Sequence, residues 1–139
     1  MNGWSLLLGA GILLLITAAW FAVYYWLNPQ VAEPDGEARV LGSCGDVMEI
    51  RLRFKDYRVV EGSSWTNGCA HSFNCVCAAV DLAKGKSPEE ILDIDSPMIR
   101  EAVGGLPRDH WHCAGLAADT LHAAVDNYMK AERKKSARS

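Results

Sequence analysis

No charged side chain occurs before Glu33, although the 139-residue chain carries 14 lysines and arginines and 17 aspartates and glutamates. The run from Trp4 to Leu27 is 24 residues long, and only Ser5, Gly9, Gly11 and Thr17 in it fall outside the apolar set. As a helix rising about 1.5 Å per residue it would reach about 36 Å, enough for a hydrocarbon layer of about 30 Å with modest tilt. Trp4 stands at one end, and Trp20, Phe21, Tyr24, Tyr25 and Trp26 crowd the other, where amphipathic rings anchor at headgroup level. The run therefore predicts one transmembrane helix over residues 4–27. The competing reading is a cleaved secretory signal, which wants a basic region ahead of a shorter apolar stretch ending in small residues. Here no Lys or Arg precedes the run, and it passes through Thr17-Ala18-Ala19 into aromatics.

What remains, about 110 residues, suffices for one small core and excludes a large multidomain enzyme. Arg39 alone among Glu33, Asp35 and Glu37 makes a weak positive-inside signal. The five cysteines are odd in number and irregularly spaced, which suits a reducing compartment better than a disulfide-stapled scaffold. The expected arrangement is a single-pass membrane protein with its domain on the cytoplasmic side.

Residues 28–45 contain Pro29, Pro34, Gly36, Gly42 and Gly45 and read as an irregular connector. The domain is expected over 46–130. Val47, Glu49, Arg51 and Arg53 alternate with Met48, Ile50, Leu52 and Phe54, the period of a half-buried strand. Lys55-Asp56 makes a tight turn into a second strand over about Tyr57–Thr66. Helices follow. One spans about 68–83, with Phe73, Val76, Val80 and Ala83 on one face. Ser87-Pro88-Glu89-Glu90 starts another, with Ser as N-cap and acids in the first turn. Ser96-Pro97 repeats the device for a short helix to about Val103. A long one runs over about 112–129, with Ala117, Leu121, Ala124, Val125 and Tyr128 on a stripe. The fold class is α+β, a small antiparallel sheet packed against helices and preceded by one transmembrane helix.

Cys44 falls in the loop before the first strand, Cys69 at the start of one helix and Cys113 in the first turn of another. Backbone amides and the helix dipole favour thiolate at such positions, and thiolate is the form that binds metals or attacks sulfur. Cys69 and Cys113 both sit at the amino-terminal tips of core-facing stripes and can converge at one end of the domain. Their spacing matches no zinc-finger pattern.

The order of short motifs is more specific. Cys-Gly-Asp-Val-Met before a strand, Asn-Gly-Cys at a strand-to-helix junction, Lys-Gly-Lys-Ser after that helix and His-Cys opening the last helix resemble the NifU/IscU-type iron–sulfur cluster assembly scaffolds. The resemblance runs from Asn28-Pro29 to about Tyr128 and implies that family's small sheet packed by helices. It implies that Cys44, Cys69 and Cys113 are cluster-binding cysteines, with Asp46 the aspartate beside the site and His112 the histidine preceding the third cysteine. Together these five would hold an iron–sulfur cluster, [2Fe–2S] by expectation, with zinc an alternative occupant. A fourth ligand from Asp46 or His112 would ease release of the cargo. The implied partners are a cysteine desulfurase supplying persulfide sulfur and apo iron–sulfur acceptor proteins. Leu106-Pro107-Arg108-Asp109-His110 stands where many relatives carry a Leu-Pro-Pro-Val-Lys motif read by a chaperone, and only its first two residues match.

Several residues take bland readings. Cys77 projects with Phe73 and Val80 as a small buried hydrophobe, and Cys75 packs on the other side or serves as an auxiliary ligand. His71, close to Cys69, either lines the site or is a surface histidine, Asp109 is an N-cap for the last helix, and Trp111 is either a shield over the thiol or a packing aromatic. Lys130, Arg133, Lys134, Lys135 and Arg138 against Glu132 give the carboxy-terminal end +4, and residues 131–139 read as a basic, frayed helix end able to touch anionic lipid. The rest of the domain is acidic, which excludes a nucleic-acid partner. Two further function classes compete with the scaffold: a zinc-binding structural or regulatory module on the same Cys, His and Asp set, and a cysteine-dependent enzyme using Cys113 and His112. Adjacent helix positions point about 100° apart, so the enzyme ranks last and the chain is read as a non-enzyme.

Overall fold

The computed structural model describes residues 2–27 and 30–139. Asn28-Pro29, where the connector and the resemblance begin, lie outside the described residues. The chain forms two compact units, one ending at Gln30 and one over Val31–Ser139.

The first unit is helix α1, Gly3–Leu27, 25 residues with no buried residue. It is long and apolar enough to cross a membrane. Within it the Thr17 hydroxyl donates to the Leu13 carbonyl at 2.9 Å, satisfied inside the helix.

In the second unit strands β1 (Gly36–Leu41), β2 (Val47–Lys55) and β3 (Arg58–Thr66) form an antiparallel meander in that order. Helices α2 (Ala70–Ala83), α3 (Pro88–Leu92), α4 (Ser96–Ala102) and α5 (Trp111–Arg138) pack on one face, with a 3₁₀ turn at Arg108–His110 leading into α5. This is the expected α+β class. The alternation of β2 sorts as its sequence demands. Met48, Ile50 and Leu52 are wholly buried, each contributing about 1.5–3 kcal/mol through burial. On the outer face, Arg51 meets Glu49 at 2.9 Å and Arg53 meets Glu61 at 3.1 Å.

Four local expectations change. The stretch expected to be irregular carries β1, which pairs with β2 from Gly36↔Leu52 to Leu41↔Val47. Flanking Pro and Gly hide its alternation, yet Ala38 and Val40 face the core while Glu37 and Arg39 face solvent. Gly36 lies so close to α5 that an added Cβ would run into the Ala124 carbonyl and the Tyr128 side chain. The hairpin turn is Asp56-Tyr57, not Lys55-Asp56. Both turn residues have positive φ, 52° and 64°, the handed twist a two-residue hairpin requires. The N-cap of α4 is Asp95, whose carboxylate accepts from Met98 N at 3.0 Å, so Ser96 is already helical. Helix α5, expected to end near Met129, continues through the basic segment to Arg138. The capping box at Ser87 and Glu90 forms as expected.

On α2 the buried face is Ser72, Cys75, Val76, Ala79, Val80 and Ala83. Val76, Val80 and Ala83 are buried as expected, but Phe73 is exposed, because the buried face extends from them toward Ser72, Cys75 and Ala79. Cys75 is therefore fully buried, and Cys77 is half-buried with its sulfur 3.6 Å from Ser64 Oγ.

Candidate functional site

Three segments meet at one end of the domain: the loop between β1 and β2, the junction between β3 and α2, and the entry to α5. The first is closed by Gly42 N donating to Asp46 O at 2.8 Å and Gly45 N to Gly42 O at 3.1 Å. Gly45 takes φ of +90°, which explains the glycine between Cys44 and Asp46. Cys44 is exposed at the tip.

The second segment is tied to the first. Asn67 Oδ1 accepts from Val47 N at 2.7 Å, Thr66 Oγ1 donates to Val47 O at 2.7 Å, and Gly68 N donates back to Thr66 Oγ1 at 3.1 Å. Gly68 is needed for space: an added Cβ would meet the Asp46 carboxylate and come within 2.7 Å of Ser72 Cβ and Oγ. Cys69 then occupies the N-cap of α2 and remains exposed. The backbone amide of Ser72 foremost, with the Ser72 hydroxyl and the His71 amide, holds its thiol below the ordinary value.

The third segment brings Cys113 into the first turn of α5, 1% exposed. Burial foremost, then the charges at Cys69, Asp46 and Cys44, pushes its thiol above the ordinary value, and the Ser72 hydroxyl offsets this in part. The expectation that every thiol at a helix start favours thiolate therefore holds for Cys69 and fails for Cys113, where desolvation outweighs the helix end. Cys75 is pushed up to about 11, first by burial, and is a core residue.

Ser72 links the segments. Its wholly buried hydroxyl donates to Asp46 Oδ2 at 2.6 Å and lies 3.3 Å from Cys113 Sγ and 3.8 Å from Cys69 Sγ. The sequence signal for it was a serine one turn after Cys69 on the same helix face.

Among the described residues, the ligand atoms of Cys69, His110 and Cys113 gather within 4.8 Å of one another. Of the five residues expected at the site, Cys69 and Cys113 belong to this triad. Asp46 meets it through Ser72. His112 lies with Nε2 3.6 Å from Cys113 Sγ, and it lines a cavity together with Gly42, Ser43, Cys44, Leu116 and Asp119. Cys44 and His112 thus share a flank of the site, outside the triad. His110, absent from the expected set, is the third member, and its signal was a histidine three residues before Cys113. His71 is no isolated surface histidine, since its ring lies 4.2 Å from that of His110.

Two bland readings also resolve. Asp109 lies within the 3₁₀ turn, and the N-cap of α5 is His110, without a side-chain cap hydrogen bond. Trp111 donates from Nε1 to Leu106 O at 3.0 Å and is covered by the Arg100 guanidinium 4.1 Å from its ring centre, so it packs locally instead of shielding the thiol.

The arrangement offers soft thiolates, imidazole nitrogen and a carboxylate at an open edge, a donor set for soft or borderline metal ions. Comparison with known proteins is consistent with this chemistry. The chain is 41% identical over 87 residues to the iron–sulfur cluster assembly scaffold protein IscU 1 of Archaeoglobus fulgidus, covering 63% of this chain and 57% of that protein. It is 31% identical over 99 residues to the IscU scaffold of Azotobacter vinelandii, covering 69% of this chain and 77% of the relative. Identity to the nitrogen fixation protein NifU of a Nostoc species is 30% over 111 residues, 73% of this chain and 37% of that one. A crystal structure of a NifU-like protein (N-terminal) from Brucella abortus superposes with a TM-score of 0.54 at 20% identity, covering 73% of this chain and 83% of that one, which shows a shared fold. Residues 31–135 match the NifU-like N terminal domain, and the chain belongs to that family.

Proposed function

We propose that this protein is a scaffold on which an iron–sulfur cluster is built from ferrous iron and desulfurase-derived sulfur, then passed to apo acceptor proteins. The observation that carries the reading is the Ser72-centred meeting of Asp46, Cys69 and Cys113, with His110 closing the triad and Cys44 and His112 on the adjoining flank. Iron and sulfide are cargo. Cys44, Cys69 and Cys113 are the proposed thiolate ligands, and Asp46 or His112 the weaker fourth. Each sulfane sulfur delivered as persulfide takes up an electron pair to become sulfide, so an electron donor is required alongside the desulfurase. The names of two relatives, iron–sulfur cluster assembly scaffold proteins, support the scaffold reading.

The exposed Cys69 thiol, lowered by first-turn amides, is the thiolate available first. Buried Cys113 needs metal, which displaces the proton, to become a ligand. Helix α1 is proposed to tether the domain to a membrane on its cytoplasmic side, where the five free cysteines stay reduced. Deleting residues 1–27 is then expected to impair maturation of membrane-bound iron–sulfur enzymes in cells, and unchanged maturation would sink the tether.

Anaerobic reconstitution with ferrous iron and sulfide, read by absorption and Mössbauer spectra and by transfer to an apo-ferredoxin, tests the scaffold. A colourless protein keeping one tight zinc would favour the zinc module instead, a reading the single-ion spacing of the triad makes worth the metal analysis. Asp46→Ala is expected to slow cluster loss, and faster loss contradicts its role as the labile ligand.

A further inference from the structure

Resting on the proposed tether and going beyond it, we propose that residues 130–138 form a docking surface for a membrane bearing anionic phospholipid. They grip headgroup phosphates and hold the domain by the end remote from its cysteines. Helix α5 is longer than its core needs. Its last buried residue is Tyr128, yet it stays helical for ten further residues, to Arg138. Lys130, Arg133, Lys134, Lys135 and Arg138 are all exposed. Lys135 pairs with Glu132 at 2.9 Å, and among the described residues the other four make no salt bridge. At 3.6 residues per turn those four fall within an arc of about 140°, opposite the buried stripe of Leu121, Ala124, Val125 and Tyr128.

Composition selects the partner. Residues 130–139 carry +4 in a chain of net charge −3, so the remainder carries −7. A charge so divided turns this end toward an anionic surface. After Met129 no apolar side chain is larger than that of alanine. A helix seated in a protein groove needs apolar anchors at helical spacing, and one inserted among acyl chains needs Leu, Phe or Trp, so neither mode fits. What remains is contact by charge at headgroup level, where each basic residue contributes about fivefold. The acidic remainder disfavours nucleic acid. The same chain carries a helix long and apolar enough to cross a membrane, which makes lipid the polyanion at hand.

Position within the domain adds a consequence. The chain enters the sheet beside the basic end of α5: Gly36 lies against Ala124 and Tyr128, Asn127 Nδ2 donates to Glu37 O at 2.7 Å, and Asp35 Oδ2 accepts from Phe54 N at 2.8 Å. Ahead of Lys130 on the same outer face stand exposed Asp119 and Asp126, which an anionic surface repels. Lipid therefore attracts only the last turns. Cys113 lies about 32 Å from Lys134 along the helix, so the cysteine edge stays open to partners.

The test uses the full chain reconstituted in vesicles of phosphatidylcholine alone or of an equimolar mixture with phosphatidylglycerol. Flotation after an alkaline wash shows whether α1 holds the chain in the neutral lipid, which judges the tether by itself. Amide hydrogen exchange over residues 131–138 is expected to slow at least about fivefold in the anionic vesicles relative to the neutral ones, with α2 unchanged. The slowing should vanish at about 1 M salt, where the screening length falls to about 3 Å. A variant combining Lys130→Gln, Arg133→Gln, Lys134→Gln and Arg138→Gln keeps helix propensity and should lose the slowing, whereas Lys84→Gln should retain it. Equal exchange in the two lipids, slowing that survives high salt or slowing kept by the fourfold variant overturns the docking surface. Slowing by soluble polyglutamate with none by phosphatidylglycerol assigns this end to an acidic protein and overturns it as well. If the chain fails to float with neutral vesicles, the tether falls. Flotation with anionic vesicles that the fourfold variant loses then still supports docking, and flotation with neither overturns both.

Discussion

The amino-terminal ends of α2 and α5 each carry a cysteine beside open backbone amides, and the two thiols behave oppositely. Cys69 at the tip of α2 is exposed and lowered by the amides it faces. Cys113, two residues inside α5, is 1% exposed and raised by burial. A helix end acts within its own turn, whereas desolvation depends on everything packed over the sulfur, and at Cys113 the second effect wins. The site therefore pairs an exposed thiol of lowered pKa with a buried thiol of raised pKa, both within reach of Ser72.

The largest expected effect breaks or keeps that contrast directly. In the folded chain near neutral pH, Cys69 should alkylate at least about tenfold faster than Cys113, through its greater thiolate fraction and its exposure. In denaturant the two rates should converge. Equal rates in the folded protein would mean that burial does not separate the two ends.

Gly68→Ala sharpens the comparison by forcing the junction apart. The added Cβ would press on Ser72 and the Asp46 carboxylate, and a denaturant titration should show a loss of about 1–3 kcal/mol. A neutral result would show that the loop before α2 yields freely.

The smallest effect concerns Cys75, the fully buried thiol on the same helix as Cys69. Its pKa is raised from 9.0 to about 11 in the folded state, so its contribution to stability is complete below pH 9 and lost as pH rises toward about 11. Urea midpoints of wild type and Cys75→Val, subtracted from one another, should hold constant from neutral pH to about pH 9 and then change over that window. A difference that stays flat to pH 11 would place Cys75 in contact with solvent.

Much of the scaffold was legible in sequence because its signals are local. The charge-free run of α1, the alternation of β2, the capping box at Ser87 and Glu90 and the apolar stripe of α5 each depend on residues within a few positions of one another. β1 escaped because its six residues alternate weakly between a glycine and a loop, and only pairing with β2 makes them a strand. Phe73 was misplaced because one flank of the buried face of α2 is made of the small residues Ser72, Cys75 and Ala79, which carry a weak apolar signal. Ser72 and His110 escaped because their importance lies in what they touch: Ser72 reaches Asp46 across 26 positions and Cys113 across 41.

By itself the sequence determined an apolar span, a hairpin, the helix starts and the placing of three cysteines at element beginnings, since each follows from propensity, period and capping. The folded packing alone decided that Cys69 stays open while Cys113 is enclosed, that His110 joins them, and that Cys44 stands with His112 on the other flank. Dielectric environment and ligand separation are set by segments remote in sequence, and no pattern within one turn encodes them.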